Sequence, residues 1–366
     1  MTSAETTALV TRWVRPAVRA MAAYQVPDAT GLVKLDAMEN PYVWSHDLRQ
    51  AWTQRLCEVD VNRYPDPHAR ALAATVRDTM GIPPDAGLLL GNGSDEIIQM
   101  LAVTLGGDGR TLLTVEPGFV MYRMIAEFTG MQYEGVPLAS PAFSLDTDAI
   151  LSAIERTGPA LVFLAVPNNP TGNLFAEADI LRIVESAPGV VVIDEAYAPF
   201  NDQSFIDRLE RYPNLLVMRT MSKMGLAGLR LGLLAGPRAW IDEIDKTRLP
   251  YNINVLTQES ARFALEHKAV LDAQTDQIRA DRETLFKALS DMSGVSPFPS
   301  DANFILFRTG NGRGSMIHRG LRERGVLIKN LDGAHPMLAD CLRVTVGTPE
   351  ENRQFLAALD AALSSG

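Results

Sequence analysis

A lysine, an arginine and two hydroxyl side chains follow one apolar run within residues 215–232, LLVMRTMSKMGLAGLRLG. Thr220 and Ser222 can donate hydrogen bonds, and Arg230 can present a charged fork of N–H groups to phosphate oxygens. A lysine in a dry cleft near other cations has a lowered pKa and an available lone pair, so Lys223 is a candidate for Schiff-base chemistry. Taken alone, Lys223 would be expected in solvent, so this interpretation depends on a phosphate site and a buried acid elsewhere in the chain.

A possible phosphate site begins within residues 88–100, LLLGNGSDEIIQM, where a buried run meets a glycine-rich turn and then a helix. The first N–H groups of a helix are unpaired and the helix dipole adds positive potential, so the amides at Ser94 and Asp95 could bind an anion. Such a turn is more often a plain connection. Only together with the hydroxyls and the arginine of the first stretch does it predict a phosphate cradle.

A carboxylate follows a strongly apolar run in VVVIDEAYAPF, residues 190–200, where Asp194 is followed three residues later by Tyr197. A charge at the end of a buried strand is costly unless a cation meets it. Asp194 could cap a helix, or form an acid–base or metal pair with Glu195, but the five histidines are scattered without ligand spacing. The remaining interpretation is a carboxylate that pairs with a cation supplied by a ligand.

An asparagine pair ends another apolar run, in LAVPNNPTGNLF at residues 164–175. Turns commonly contain Asn-Pro and Thr-Gly, so a turn is the simplest explanation. At the end of a buried strand, Asn169 could also offer its amide group to a ligand oxygen.

All of these clusters require strands that end side by side. Short apolar runs alternate with helical patterns at about 66–245, which is typical of a mostly parallel sheet covered by helices on both faces, an α/β fold. Ligands of such sheets bind beyond the carboxyl ends of the strands, where each polar cluster lies. A polar-faced helical pattern at about 255–291 and two later strand-like runs predict a smaller α+β domain. The expected parts are an N-terminal arm that belongs to the small domain, a large ligand-binding domain and a small C-terminal domain, at 1–41, 42–245 and 246–366.

The composition favours a protein that acts on small molecules. The 366 residues carry a formal net charge of −10, whereas nucleic-acid binding calls for clustered positive charge. No apolar run approaches the ~18 residues of a membrane span, and arginines interrupt the N-terminal stretch, so no secretory signal is expected. Two cysteines make neither a disulfide framework nor a metal pattern. We therefore expect a cytoplasmic protein without a metal site.

Several strings together resemble the fold-type-I, pyridoxal-phosphate-dependent aminotransferases and, within them, the histidinol-phosphate aminotransferases. The resemblance covers nearly the whole chain. PNNPTG is shared by the wider superfamily, whereas NRYPDP, GSDEII and LRVTVGTPEEN are specific to the subfamily. The resemblance implies pyridoxal 5′-phosphate as cofactor and a homodimer as the assembly.

The resemblance also implies roles for the residues around the cofactor ring. Lys223 would hold the cofactor as a Schiff base, and Asp194 would pair with its pyridinium nitrogen. Asn169 and Tyr197 would hydrogen-bond its phenolic oxygen, and Phe119 would stack on the ring.

Further residues would hold the cofactor phosphate and the substrate. The resemblance implies that the phosphate is held by Ser94, Asp95, Ser222 and Arg230, and the hydroxyl of Thr220 is expected in the same cofactor site. Tyr64 of NRYP would reach the phosphate from the second subunit. Arg343 would clamp the anionic end of the substrate, with Lys329 and Asn169 nearby, and Tyr24 of the arm would close over the site.

The implied reaction transfers the amino group of histidinol phosphate to 2-oxoglutarate, giving imidazole acetol phosphate and glutamate in histidine biosynthesis. Three alternatives stay open: an aminotransferase for aromatic amino acids, a decarboxylase of a phosphorylated amino acid, and a binding protein without chemistry. The intact Lys223, Asp194 and Arg343 count against the last. Two positions depart from the family pattern: Lys329 in VLIKN replaces a common arginine, and Arg230 follows Lys223 after one residue fewer.

Overall fold

The structure is a computed structural model that describes residues 3–107 and 109–365. It confirms the predicted α/β class, with a sheet of seven strands, a sheet of five strands, and helices packed against both. The first two residues of the predicted arm, Asp108 of the predicted large domain, and the last residue of the predicted C-terminal domain lie outside the described residues. The domain boundaries near 41 and 245 stay a prediction. Within the described ranges, no helix is long and apolar enough to cross a membrane.

Helices alternate with the strands of the seven-stranded sheet along most of the chain, and most strands of the five-stranded sheet follow near its C-terminal end. In the described part of the chain the helices are α1 (Ser3–Trp13), α2 (Pro16–Ala20), α3 (His46–Cys57), α4 (Arg70–Met80), α5 (Ser94–Leu105), α6 (Val120–Thr129), α7 (Thr147–Thr157), α8 (Glu177–Ser186), α9 (Arg238–Asp245), α10 (Val255–Glu266), α11 (Lys268–Ser290), α12 (Gly314–Glu323) and α13 (Pro349–Ser364). The strands there are β1 (Val33–Leu35), β2 (Ala86–Gly91), β3 (Thr111–Glu116), β4 (Gln132–Pro137), β5 (Leu161–Ala165), β6 (Val190–Asp194), β7 (Leu215–Thr220), β8 (Gly232–Pro237), β9 (Ser296–Pro297), β10 (Phe304–Arg308), β11 (Val326–Asn330) and β12 (Cys341–Thr345).

The large sheet brings the carboxyl ends of its parallel strands to one edge. Its order is β2-β8-β7-β6-β5-β3-β4, and the neighbours from β7 to β4 run parallel. β8 runs antiparallel to both β7 and β2, so the mostly parallel sheet has two antiparallel pairings on one side. Ala165, Asp194 and Met218 are neighbours in the register of three adjacent strands. The segments that follow these strands therefore begin side by side.

Helices on both faces of this sheet explain its uninterrupted apolar strands. Along β5, Val162 and Leu164 pack into one apolar core, whereas Leu161 and Phe163 pack into a second core on the other face. Successive side chains of a strand point to opposite faces, so a strand buried on both faces favours apolar residues along its length. In β5, β6 and β7 the polar side chains, Asp194, Arg219 and Thr220, consequently lie at the ends of the strands.

The five-stranded sheet, of order β1-β11-β12-β10-β9, carries the predicted substrate clamp. β1 comes from the N-terminal arm and pairs in parallel with β11, so the arm contributes a strand to this sheet. The remaining pairings in the sheet are antiparallel. Arg343 lies in the middle of β12, directly between Lys329 of β11 and Leu306 of β10.

Some elements carry no clear sequence signal. The helical pattern at 255–291 forms two helices separated at His267, whose ring Nδ1 lies 2.8 Å from the Phe263 carbonyl oxygen. Neither glycine nor proline marks this break. Strand β4 escapes prediction because it is a half-exposed edge strand with polar residues and Gly135 in its interior. Strand β1 is only three residues long.

Candidate active site

A cavity of about 360 Å³ opens at the carboxyl ends of β5, β6 and β7. It brings together every residue predicted to bind the cofactor except Tyr64. These lining residues are Ser94, Asp95, Phe119, Asn169, Asp194, Tyr197, Thr220, Ser222, Lys223 and Arg230. Residues that are far apart in sequence thus meet because their strands are neighbours in the sheet.

Lys223 enters this cavity from the irregular turn that follows β7. Desolvation, reinforced by the positive charges of Arg343 and Arg230, lowers the pKa of the Lys223 amine to about 8. Its Nζ donates a hydrogen bond to the carbonyl oxygen of Ala37 at 3.2 Å. An appreciable fraction of the amine is therefore neutral near neutral pH, as a nucleophile or a general base requires.

Asp194 is a buried carboxylate that has no cationic partner in the described part of the chain. Burial raises its pKa to about 6, while hydrogen bonds from the Tyr122 hydroxyl at 2.6 Å and from the Ala196 N–H at 3.0 Å oppose the rise. The side chain is only 4% exposed. A cation placed against this carboxylate would be strongly stabilised, because no water screens the pair.

Tyr122 is a site residue that the sequence interpretation missed. It lies in α6, is fully buried, and stacks on Phe163 with ring centroids 4.5 Å apart. Its ring also meets the edge of Phe119, at 5.4 Å. The available signal was a tyrosine one helical turn after the predicted stacking aromatic, but only the packing shows that its hydroxyl is aimed at Asp194.

A chain of hydrogen bonds joins the two sheets across the cavity. Asn169 donates from Nδ2 to the Tyr197 hydroxyl at 3.2 Å. Arg343 donates from Nη1 to Oδ1 of Asn169 and from Nη2 to the Asp36 carbonyl oxygen. The guanidinium thus fixes which way the Asn169 amide points, with Nδ2 as the donor to the Tyr197 hydroxyl.

The predicted phosphate cradle forms where α5 begins beside the turn after β7. Arg230 Nη1 and Nη2 lie 3.5 Å from Ser222 Oγ and Asp95 Oδ2, so its guanidinium is held only loosely. A Cβ added to Gly93 would come within 2.6 Å of Arg230 Nη2, and one added to Gly232 would come within 2.8 Å of Ser94 N. The glycines are therefore required for this close approach. Despite the shortened spacing, Arg230 reaches the cradle by adopting a left-handed backbone, with φ of 48°.

A second cavity of about 420 Å³ shares Phe119, Asn169 and Met38 with the first. Tyr24, Lys329 and Arg343, which were predicted to contact substrate, also line it. The register of β11 and β12 sets Lys329 directly opposite Arg343, and like charges in that relation are destabilising.

The Lys329–Arg343 pair has no carboxylate partner within hydrogen-bonding distance among residues 3–107 and 109–365. Burial, followed by the neighbouring Arg343 charge, lowers the pKa of Lys329, and burial lowers that of Arg343. The Nε of Arg343 is buried without a hydrogen-bond partner in the described structure. Two cations that face each other beside one cavity, with no carboxylate of the described residues in direct contact, are suited to an anionic ligand group.

Tyr64 is the one predicted cofactor contact that lies away from the cavity of its own chain. It is 81% exposed and stacks on Tyr251, with ring centroids 4.4 Å apart. His335 accepts a hydrogen bond at Nδ1 from the Met337 N–H and caps a short turn.

The donor set of the first cavity fits pyridoxal phosphate. Its phosphate would meet the loosely held Arg230, the hydroxyl of Ser222 and the start of α5. Its ring nitrogen would meet the buried acid Asp194, and its aldehyde the amine of Lys223. Each of these features matches one chemical group of the cofactor. The fold and the site together are those of the fold-type-I class of pyridoxal-phosphate enzymes.

The chain belongs to the aminotransferase class I and II family, whose profile matches residues 30–359. It is 54% identical to histidinol-phosphate aminotransferase 2 of Nitrosococcus oceani, over 96% of this chain and 98% of that protein. It is 52% identical to histidinol-phosphate aminotransferase 1 of Ralstonia nicotianae, over 97% and 96% of the two chains.

Solved structures share the fold at lower identity. The histidinol-phosphate aminotransferase of Sinorhizobium meliloti, determined with pyridoxal 5′-phosphate, is 24% identical and aligns with a TM-score of 0.86 over 96% of this chain and 98% of that one. The L-threonine-O-3-phosphate decarboxylase of Porphyromonas gingivalis is 22% identical and aligns with a TM-score of 0.75 over 91% and 100% of the two chains. The fold by itself therefore does not separate transamination from decarboxylation.

Proposed function

We propose that this chain transfers the amino group of histidinol phosphate to 2-oxoglutarate, in histidine biosynthesis, with pyridoxal phosphate as cofactor. The observation that carries the proposal is the Lys329–Arg343 pair, one half-buried and one buried cation that face each other beside one cavity. Among the described residues, no carboxylate lies within hydrogen-bonding distance of either cation. A phosphate monoester carries up to two negative charges and suits two cations. The curated relatives at about 50% identity, which are named histidinol-phosphate aminotransferases, support the same substrate.

The chain's own residues divide the work of this reaction. When bound, pyridoxal phosphate supplies a protonated ring that withdraws electrons from the substrate Cα. Asp194, oriented by Tyr122, would stabilise the positive charge on the ring nitrogen, and Asn169 and Tyr197 would donate hydrogen bonds to the phenolic oxygen. Lys223 Nζ removes the proton from the substrate Cα, which its lowered pKa permits near neutral pH.

The rate at which the cofactor-free protein takes up pyridoxal phosphate should rise with pH up to about 8 and then level off. Only the neutral amine attacks the aldehyde, and the pKa of Lys223 is lowered to about 8, so deprotonation is mostly complete above that pH. The visible absorbance of bound cofactor, followed after rapid mixing, measures this rate. The α-acetyl derivative of lysine serves as control, because its rate should keep rising to about pH 10. A protein profile that follows this control would contradict the lowered pKa.

Substrate preference separates the proposal from its main alternatives. Steady-state kinetics with 2-oxoglutarate should give a kcat/KM for histidinol phosphate at least about 100-fold above that for phenylalanine, or ~2.7 kcal/mol of differential transition-state binding. Comparable values would instead make the protein a broad or aromatic aminotransferase. Release of carbon dioxide from phosphothreonine, without amino transfer, would support the decarboxylase alternative.

We also propose that the protein is a homodimer in which Tyr64 completes the cofactor site of the other subunit. Arg230 is half-exposed although it lines the phosphate cradle, so the cradle is open on one side in a single chain. Tyr64 stacks on Tyr251, and both side chains are exposed, as are Val61 and Leu249, which are close to them in sequence. Exposed apolar side chains of this kind are typical of interfaces. A biosynthetic enzyme of this kind is expected in the cytoplasm.

Replacing Tyr64 by phenylalanine should raise the dissociation constant of pyridoxal phosphate about 3- to 10-fold and leave the dimer intact. The hydroxyl supplies one hydrogen bond to the phosphate, and the ring still fills the interface. Equilibrium dialysis and analytical ultracentrifugation measure the two quantities. Tyr251→Phe is the matched control, since its hydroxyl makes no hydrogen bond to residues 3–107 or 109–365. An unchanged dissociation constant in the Tyr64 variant, or a monomeric parent protein, would refute this placement.

A further inference from the structure

A group of side chains at one side of the second cavity has no role in the reaction as derived so far. Glu116 ends β3, Arg123 lies in α6, Tyr133 lies in β4 and His335 belongs to a loop after β11. All four line the cavity that also holds Lys329 and Arg343. We call these four residues the acceptor corner, because a carboxylate lies at its centre.

One oxygen of the central carboxylate is fully occupied by neighbouring side chains. The Tyr133 hydroxyl donates to Oε1 of Glu116 at 2.9 Å, and Arg123 Nη2 lies 3.1 Å from the same oxygen. The Arg123 guanidinium also lies over the Tyr133 ring, 4.6 Å from its centroid. These contacts fix the carboxylate in one orientation.

Gly135 gives this orientation the space it needs. A Cβ at that position would come within 2.5 Å of Glu116 Cδ. Gly135 lies in β4, which pairs with β3, so the carboxylate of Glu116 extends over the neighbouring strand. The glycine that weakens β4 as a sequence signal is therefore the residue that lets Glu116 reach Tyr133.

The second oxygen of Glu116 remains available. His335 Nε2 is 4.0 Å from Oε2, beyond hydrogen-bonding distance. His335 accepts a hydrogen bond at Nδ1, so in its neutral form the proton lies on Nε2. In the described part of the chain, no group donates a hydrogen bond to Oε2. A fixed carboxylate therefore offers one free acceptor atom to the cavity.

We propose that Glu116 Oε2 accepts a hydrogen bond from the imidazole N–H of the amino donor and thereby selects an imidazole ring over a phenyl ring. The inference rests on the proposed function and deepens it. The Lys329–Arg343 pair binds the phosphate, and Lys223 lies at the reacting carbon, which carries the amino group. The remaining substituent of that carbon carries the imidazole ring, which is therefore left for another part of the cavity. A phenyl ring would displace water from Oε2 without replacing its hydrogen bond, and sites of that kind reject such analogues.

The acceptor corner should matter to only one of the two substrates. 2-Oxoglutarate carries two carboxylates and no ring donor, so it can use the Lys329–Arg343 pair while water continues to occupy Oε2. A substitution at Glu116 should consequently affect the half-reaction of histidinol phosphate and leave that of 2-oxoglutarate unchanged. A general loss of packing would weaken both half-reactions.

The test uses Glu116→Met, which keeps the length of the side chain and removes the acceptor. We expect kcat/KM of the histidinol phosphate half-reaction to fall about 10- to 100-fold, the range for a hydrogen bond to a charged group, and that of 2-oxoglutarate to stay within twofold. Glu127→Gln, which alters an exposed carboxylate on α6, is the matched control and should change neither value. Tyr133→Phe should give a smaller loss, mainly in KM, because Oε1 keeps Arg123.

Equilibrium binding gives a second readout that does not depend on turnover. The pyridoxamine form of the enzyme cannot react with an amine, so calorimetry can measure binding of histidinol phosphate and of phosphoethanolamine, which lacks the ring. Glu116→Met should weaken only the former, again about 10- to 100-fold. Equal losses for both ligands, or no loss for either, would overturn the proposal. Failure of the proposed function itself is distinguishable, because the parent protein would then fail to prefer histidinol phosphate over phenylalanine.

Discussion

Replacing Lys223 by alanine is expected to abolish turnover, with a loss in kcat of about 10⁴-fold or more. The substitution removes both the amine that attaches the cofactor and the base that takes the Cα proton. In the structure its Nζ is the only lysine amine lining the first cavity, within the described residues, so no neighbouring lysine can replace it. Steady-state kinetics and the visible absorbance of bound cofactor measure the two losses together.

A lysine-to-alanine substitution far from the cavity serves as the control for a nonspecific loss of activity. Lys246 is exposed and pairs with Glu243 at the end of α9, so Lys246→Ala should retain the activity and the absorbance of the parent. Pyridoxal phosphate should still bind the Lys223 variant without the covalent link, because Arg230 and Asp194 remain. Turnover retained in the Lys223 variant would rule out its assignment as the Schiff-base lysine.

Replacing Asp194 by asparagine is expected to lower kcat by roughly 10²- to 10³-fold, the usual cost of removing one preorganised electrostatic group. The carboxamide keeps the shape of the side chain but loses the charge that would hold the proton on the ring nitrogen. Burial makes this loss large, because water cannot enter to compensate for the missing charge. The pH dependence of the cofactor spectrum should shift as well, since the ring nitrogen of the variant would lose its proton at lower pH.

Tyr122→Phe is the graded comparison for this result. It removes the hydroxyl that donates to Asp194 and keeps the ring that stacks on Phe163, so the charge stays and only its orientation is loosened. We expect a loss of about 3- to 30-fold, well below that of Asp194→Asn. If the two variants lost activity equally, the hydroxyl rather than the charge would be the important group at this position.

Much of the cofactor site could be predicted from the sequence because its residues lie in short, distinctive strings at strand ends. Asp194 follows four apolar residues, and Lys223 lies between Ser222 and a small-residue run. These patterns reflect a local cause, since a strand buried on both faces favours apolar residues along its length and charged groups where it ends. The cavity at the ends of β5, β6 and β7 brings these strings together as the predicted fold requires.

Other parts of the site carry no local signal. Tyr122, Glu116 and Arg123 are ordinary residues in sequence, and their importance comes from what they touch across the fold. Strand β4, which supplies Tyr133 to the acceptor corner, has a weak strand pattern in the sequence, because an edge strand tolerates polar residues and glycine. Side chains whose role is defined by a partner on another strand cannot be recognised from spacing along the chain.

The sequence by itself determined the fold class, because burial on both faces of a parallel sheet imposes a pattern on each strand separately. Its resemblance to a known family supplied the cofactor expectation and most of the residues expected around the cofactor. Only the tertiary structure decided how charges face one another. The register of β11 and β12 sets Lys329 opposite Arg343, and the pairing of β3 with β4 leaves one oxygen of Glu116 free. Register and side-chain packing join residues from distant parts of the chain, and those contacts, unlike a buried strand, have no periodicity that a sequence can display.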